Sequence, residues 1–139
     1  MENLIKFYND NLLNFDWVRC SEDVKDFIIC QFALESNFGK SRLAHDCNNY
    51  CGMRYPRVRI ATSCEIDEKS GFAKYPSIYY NIIDYFLALQ YHCPFREDLE
   101  DVEKFKSFLK KFYCPERDYI ERITKLFNQL KTYKNGTKN

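Results

Sequence analysis

Four glycines and four prolines are all that 139 residues carry, about half the usual share of roughly 12%. Antiparallel sandwiches and barrels turn back on themselves about every 8–12 residues and consume such residues at each turn. A chain this poor in turn-formers is held to helices with short connections. Twelve Phe, eleven Tyr and one Trp lie within a 45% hydrophobic fraction, which suffices for one real core and excludes a disordered or low-complexity chain. At this length, with no internal repeat and no linker, the expectation is a single domain over 1–139.

Charge narrows the partners. Lys and Arg total 21 against 20 Asp and Glu, and the basic residues are dispersed, so no nucleic-acid partner is expected. No run of about 18 apolar residues exists, so no membrane insertion is expected either. Met1-Glu2-Asn3-Leu4-Ile5-Lys6 lacks the basic start and apolar centre of a signal peptide. The chain is therefore expected to be made in the cytoplasm, with any export by another route. Seven cysteines occur without a CxxC pair, and several, such as Cys30 in Phe27-Ile28-Ile29-Cys30, sit in apolar runs. Reduced thiols acting as small core residues are expected.

Periodicity places a first helix over 3–13 and a second from Ser21, a good N-cap, to a stop at Gly39. Residues 40–56 read as irregular. Alternation in Arg57-Val58-Arg59-Ile60-Ala61-Thr62, then a polar stretch and Phe72-Ala73-Lys74-Tyr75, predicts a small hairpin with a charged tip. Three further helices are expected: from Ser77 to about Tyr91, over 98–113, and after Pro115, with a frayed tail from Lys134.

One residue breaks the pattern of the second helix. Val24, Ile28, Gln31 and Glu35 share one stripe of a 100° wheel, so Glu35 lies on the apolar face and in the last turn. Burial and the negative end of the helix dipole both disfavour its anion, so it is expected to hold its proton toward neutral pH. That is the state a general acid requires. A glutamate snorkelling to solvent, or paired with Lys40 or Arg42, would satisfy the same pattern.

The run Gln31-Phe32-Ala33-Leu34-Glu35-Ser36-Asn37-Phe38-Gly39-Lys40-Ser41-Arg42-Leu43-Ala44 resembles the QxALESGWGKSxLA segment of bacterial cell-wall glucosaminidases. These are glycoside hydrolase family 73, of the flagellar-muramidase and autolysin type. Asn48-Asn49-Tyr50-Cys51-Gly52-Met53-Arg54 is similar to that family's NNLFGIK, Phe72-Ala73-Lys74-Tyr75-Pro76-Ser77 to its FxxYxS, and Tyr113-Cys114-Pro115-Glu116-Arg117-Asp118-Tyr119 to its YATDPxY. Four motifs in order span 31–119. The resemblance implies a mainly α (α+β), lysozyme-like helical domain with a small β-hairpin lobe, and cleavage of β-1,4 bonds after N-acetylglucosamine in peptidoglycan strands by a cofactor-free monomer.

It also implies roles. Glu35 takes the place of the catalytic acid. A second carboxylate is expected on the hairpin, and Thr62-Ser63-Cys64-Glu65 makes Glu65 the best match, with Asp67 and Glu68 as competitors. Tyr113 and Tyr119 fall on the two late-motif tyrosines, one of which would reach the cleft to position water or the acetamido group. Phe38, Asn49, Tyr75 and Asp67 are implied substrate contacts. The sequence departs from the pattern at Phe112, where glycine is usual, and in Cys114-Pro115-Glu116-Arg117.

Rival readings remain on the same residues. His45, Cys47, Cys51 and Cys64 offer zinc-ligand types without a compact second knuckle, so no metal is expected. A lysozyme-type muramidase, a lytic transglycosylase and an inactive glycan-binding module are the alternatives on the same fold. A phage endolysin or an injected effector fits the leaderless start better than a housekeeping autolysin, with action at the cell wall or periplasm.

Overall fold

The computed structural model describes residues 1–92, 96–114 and 116–137. Its elements run α1 (Glu2–Asn11), a 3-10 turn (Leu12–Phe15), α2 (Glu22–Glu35), α3 (Arg42–Cys47), β1 (Glu65–Ile66), β2 (Ala73–Lys74), α4 (Ile78–His92), a second 3-10 turn (Arg96–Leu99), α5 (Val102–Phe112) and α6 (Arg117–Thr137). The fold is mainly helical and lysozyme-like, with one small antiparallel sheet among the described residues. By contact the chain divides into two compact units, Met1–Leu34 with Phe95–Asn139, and Glu35–Pro94.

The first unit is an aromatic helix cluster. Phe27 of α2 is wholly buried, with the rings of Phe105 on α5 and Phe127 on α6 edge-on at 6.1 and 5.7 Å. Phe15 meets Phe32 edge-on at 5.2 Å. A buried Phe contributes roughly 1.5–3 kcal/mol, and edge-on pairs add somewhat more, so this cluster absorbs part of the aromatic excess. The Ser21 hydroxyl caps α2 by accepting from the Val24 amide at 3.2 Å. The helix expected over 98–113 is broken at Asp101. That residue is extended, and its carboxylate accepts from the Glu103 and Lys104 amides, starting α5 afresh after the second 3-10 turn.

The expected fraying from Lys134 does not occur, because α6 continues to Thr137. Lys134 Nζ donates to Asp26 Oδ2 and to Glu22 Oε1, each at 2.7 Å, and lies 5.4 Å from the Tyr8 ring centroid. Tyr8 donates to the other Asp26 oxygen at 3.1 Å. A long-range ion pair thus holds the end of a polar helix that periodicity alone would release.

The second unit starts where α2 stops. The helix ends at Glu35 rather than at Gly39, because Asn37, Phe38 and Gly39 take left-handed φ values of 49°, 58° and 83° in succession. Residues 40–56 are not wholly irregular. The Ser41 hydroxyl accepts from the Ala44 amide at 3.1 Å and caps α3, and left-handed Asn48 ends it. Six residues are too short to carry a periodic signal.

The hairpin lies later than the alternation predicts. Glu65 pairs with Lys74 and Ile66 with Ala73, while Arg57–Thr62 forms no strand. Alternation exists there with its faces reversed: Val58 and Ile60 are 81% exposed, and Arg59 turns inward. On α4, Ile82, Tyr85 and Leu89 are buried, whereas Ile78 and Phe86 are only half-buried.

Candidate active site

Glu35 is placed by two local devices. The α2 helix carries it to its last residue, and the left-handed turn then folds the chain away from it. That turn is held from within: the buried Ser36 accepts from the Gly39 amide through its hydroxyl at 2.8 Å and from the Ser41 amide through its carbonyl at 2.9 Å. Phe38 is half-buried at the apex with φ 58°, a conformation a bulky residue adopts only where the surroundings impose it. Glu35 itself is half-buried, and its Oε2 atom is shielded from solvent.

Further along the same unit sits a polar scaffold. Asn49 is 1% exposed. Its amide donates to the Met53 and Ala73 carbonyls at 2.9 and 2.8 Å, and its oxygen accepts from the Met53 amide at 3.0 Å. Asn48 donates to the Tyr75 carbonyl at 3.0 Å. These asparagines tie the segment after α3 to the strand that leads into α4, so the structure places Asn49 as a brace.

Tyr75 is likewise buried, at 2% exposure, and its hydroxyl donates to Asp84 Oδ2. Burial and the neighbouring Asp84 carboxylate push the phenol well above the usual tyrosine range. Arg59 completes the group with a two-pronged contact to Asp84, at 2.6 and 3.1 Å. Tyr75 therefore lies in the scaffold, where its ring offers no open face for stacking on a sugar. Sequence reasoning missed the Arg59–Asp84 pair. Its signal was a lone acid among the apolar residues of α4, about two turns of helix beyond the Phe72–Ser77 motif.

The hairpin acids are treated unequally by the fold. Glu65 is exposed on β1 opposite Lys74, and Glu68 is exposed at the tip. Asp67 is occupied: Arg42 Nη2 donates to its Oδ2 at 2.6 Å, and the Ser70 hydroxyl donates to the same atom. Hydrogen bonds from Arg42, Ser70 and the Cys47 thiol hold its carboxyl well below the usual carboxylate range.

In the first unit, Tyr113 and Tyr119 come together as a stacked pair, with centroids 6.2 Å apart and planes at 17°. Gln31, wholly buried on α2, donates to the Tyr119 hydroxyl at 2.6 Å. Pro115 of that motif lies outside the described residues. Among the described residues no three His, Cys, Asp or Glu side chains assemble as metal ligands. His45 is engaged with Asp46 at 2.7 Å, and the six described cysteines are unbridged.

No curated protein matches the sequence significantly. Two solved structures share the fold. The catalytic domain of the autolysin Auto from Listeria monocytogenes superposes with a TM-score of 0.66 at 21% identity, over 93% of this chain and 85% of that one. A chain of a type VI secretion system effector–immunity complex from Pseudomonas protegens gives 0.58 at 17%, over 91% and 94%. The family model for glucosaminidase, described as mannosyl-glycoprotein endo-β-N-acetylglucosaminidase, matches residues 22–132. That span runs from the first turn of α2 to near the end of α6 and takes in Glu35, the hairpin and both tyrosines, so the chain belongs to the glucosaminidase family and is a glycoside hydrolase of the endo-β-N-acetylglucosaminidase type.

Proposed function

We propose that the chain cleaves the β-1,4 bond after N-acetylglucosamine in peptidoglycan glycan strands, with Glu35 as the general acid. The observation that carries this reading is the placement of Glu35, the last residue of α2, with one carboxyl oxygen shielded from solvent. A carboxyl so shielded at the end of a helix suits a group that must protonate a departing glycosidic oxygen.

Glu65 is our assignment for the second carboxylate. It is exposed on the strand preceding the tip, whereas Asp67 is committed to Arg42 and Ser70. Glu65 would orient water or stabilise the oxocarbenium-like state. Tyr119, with its hydroxyl held by Gln31, would present its phenol to the acetamido group or the water, with Tyr113 stacked against it. Phe38 would supply an apolar contact for a sugar face. The near-neutral net charge of +1 fits recognition by stacking and hydrogen bonding. We assign the site of action to the cell wall, the active form to a monomer, and the chemistry to side chains alone.

Mass analysis of muropeptides after digestion of purified walls tests this. New reducing ends on N-acetylglucosamine are expected, and Glu35→Gln should lower the rate at least about 1,000-fold, the scale lost with an essential acid. Ends on N-acetylmuramic acid would make the protein a muramidase, and anhydro ends a lytic transglycosylase. Walls bound but uncut would leave only a binding module.

A further inference from the structure

We propose that the Arg57–Ile60 loop and the adjoining end of α4 form a docking surface for an anionic lipid bilayer. Val58 and Ile60 are each 81% exposed, and their exposure is built in rather than incidental. Arg59 between them is drawn inward onto Asp84, itself wholly buried, and its Nη1 also donates to the Ile60 carbonyl at 3.1 Å. Further along, the Thr62 hydroxyl donates to the Tyr80 carbonyl of α4 at 3.1 Å. A loop anchored inside a polar clamp is thus made to hold two β-branched side chains out in solvent.

The charges within the segment that carries them are of one sign. Residues 54–64 contain Arg54, Arg57 and Arg59 and no acid. With Arg59 neutralised by Asp84, the exposed Arg54 and Arg57 remain. The only acid on α4 is that same buried Asp84. A groove of about 240 Å³ beside Ile60 is lined by Arg59, Leu87, Gln90 and Tyr91, and Tyr91 is 56% exposed. Aliphatic tips, an amphipathic tyrosine and arginines without intervening acids are the composition that suits an anionic headgroup layer.

A protein partner fits less well. Protein interfaces centre on packed, desolvated pockets and bury about 800 Å² per side, whereas two protruding tips beside one small groove offer no such centre. Contact with lipid is peripheral in this arrangement. Among the described residues no helix is long and apolar enough to cross a membrane.

Co-sedimentation with phosphatidylglycerol–phosphatidylcholine vesicles, against phosphatidylcholine alone, tests the proposal. At low ionic strength the bound fraction should be about five-fold higher on the anionic vesicles and should fall as salt is added. The double variant Val58→Asp/Ile60→Asp should lose binding about ten-fold, and Val58→Ser/Ile60→Ser should follow it because the apolar tips are gone. Arg57→Glu should lose about five-fold. Circular dichroism of each variant should match the parent, since all three side chains are exposed. Absence of binding to anionic vesicles would overturn the proposal. So would full binding by both double variants, which would reduce the contact to charge alone. A parent dimer that the double variants dissolve, without vesicle binding, would make the patch a contact between copies of this chain. None of these readouts uses glycan cleavage, so their outcome is separate from that of the proposed reaction.

Discussion

The Arg42 guanidinium donates to Asp67 Oδ2 at 2.6 Å, tying the first turn of α3 to the charged end of the hairpin. Arg42 also approaches Asp46 at 3.9 Å, so the contact to Asp67 is the shorter of two. It is joined on the Asp67 side by Ser70, and the Ser70 and Gly71 amides both bond back to the Asp67 carbonyl, at 3.2 and 2.7 Å. The tip is therefore a closed turn with a cation fastened to its first residue.

Because hydrogen bonds from Arg42, Ser70 and Cys47 hold the Asp67 carboxyl below its ordinary value, its contribution to stability is present above about pH 3.9. That contribution is lost only as pH falls through the lower native value. In a carboxyl-carbon NMR titration Asp67 should stay at its ionised position from pH 7 down to about pH 3. In Arg42→Ala it should titrate within the ordinary carboxylate range. An unchanged titration in Arg42→Ala would show that the pair is not what holds it.

The buried Arg59–Asp84–Tyr75 group gives a larger prediction. Arg59→Ala leaves a wholly buried carboxylate with only the Tyr75 hydroxyl, and removing one partner of a buried pair costs about 3–5 kcal/mol. Urea unfolding should show a loss of that order at pH 7 with an unchanged m-value. The double replacement Arg59→Met/Asp84→Leu should recover most of it, because two apolar residues of similar volume leave no orphaned charge.

That group marks the limit of what the chain's pattern discloses. Helices α2, α4 and α6 were legible because long apolar stripes repeat at helical spacing, and Glu35 stood out as a carboxylate on such a stripe. The position of Glu65 was legible through its motif, but the strand before it was misplaced. Alternation at 57–62 says only that neighbours face opposite ways, not which way is in, and there Arg59 wins the interior because Asp84 awaits it on α4. The burial of Asn49 and Tyr75 was hidden for a related reason: beside its local bonds to Met53, Asn49 is fixed by Ala73, 24 residues away, and Tyr75 by Asp84, 9 residues away, and apolar periodicity encodes none of these. Lys134 was read as part of a fraying tail since its partners lie on α2, 108 and 112 residues earlier.

Among the hairpin acids, Glu65→Gln should cost activity most, about 100-fold or more if it assists water or the cationic transition state. Asp67→Asn should cost less than about ten-fold, because its oxygens are already committed to the hairpin and the loss acts through tip order. Glu68→Gln should be close to the parent. Tyr119→Phe should lower kcat about ten-fold with little change in KM, as expected for a hydroxyl used in the transition state. Wall turbidity assays on the four variants check the ranking, and a Glu68 effect above that of Glu65 would move the second carboxylate to the tip.

Lys134 supplies a prediction of opposite pH sense. Burial pulls its ammonium down, but hydrogen bonds to Asp26, Glu22 and Tyr8 outweigh that and hold it above the ordinary lysine value. A raised basic group stabilises fully below its unfolded value, about 10.4, and ceases to do so as pH rises through the native one. Lys134→Met should therefore cost about 1–2 kcal/mol, discounted from a fully buried pair because the lysine keeps some solvent contact. In urea unfolding the gap between parent and variant should stay constant from about pH 6 to 9 and close only above about 10.4. A gap that already closed near neutral pH would show that the Lys134 ammonium is not held above its ordinary value.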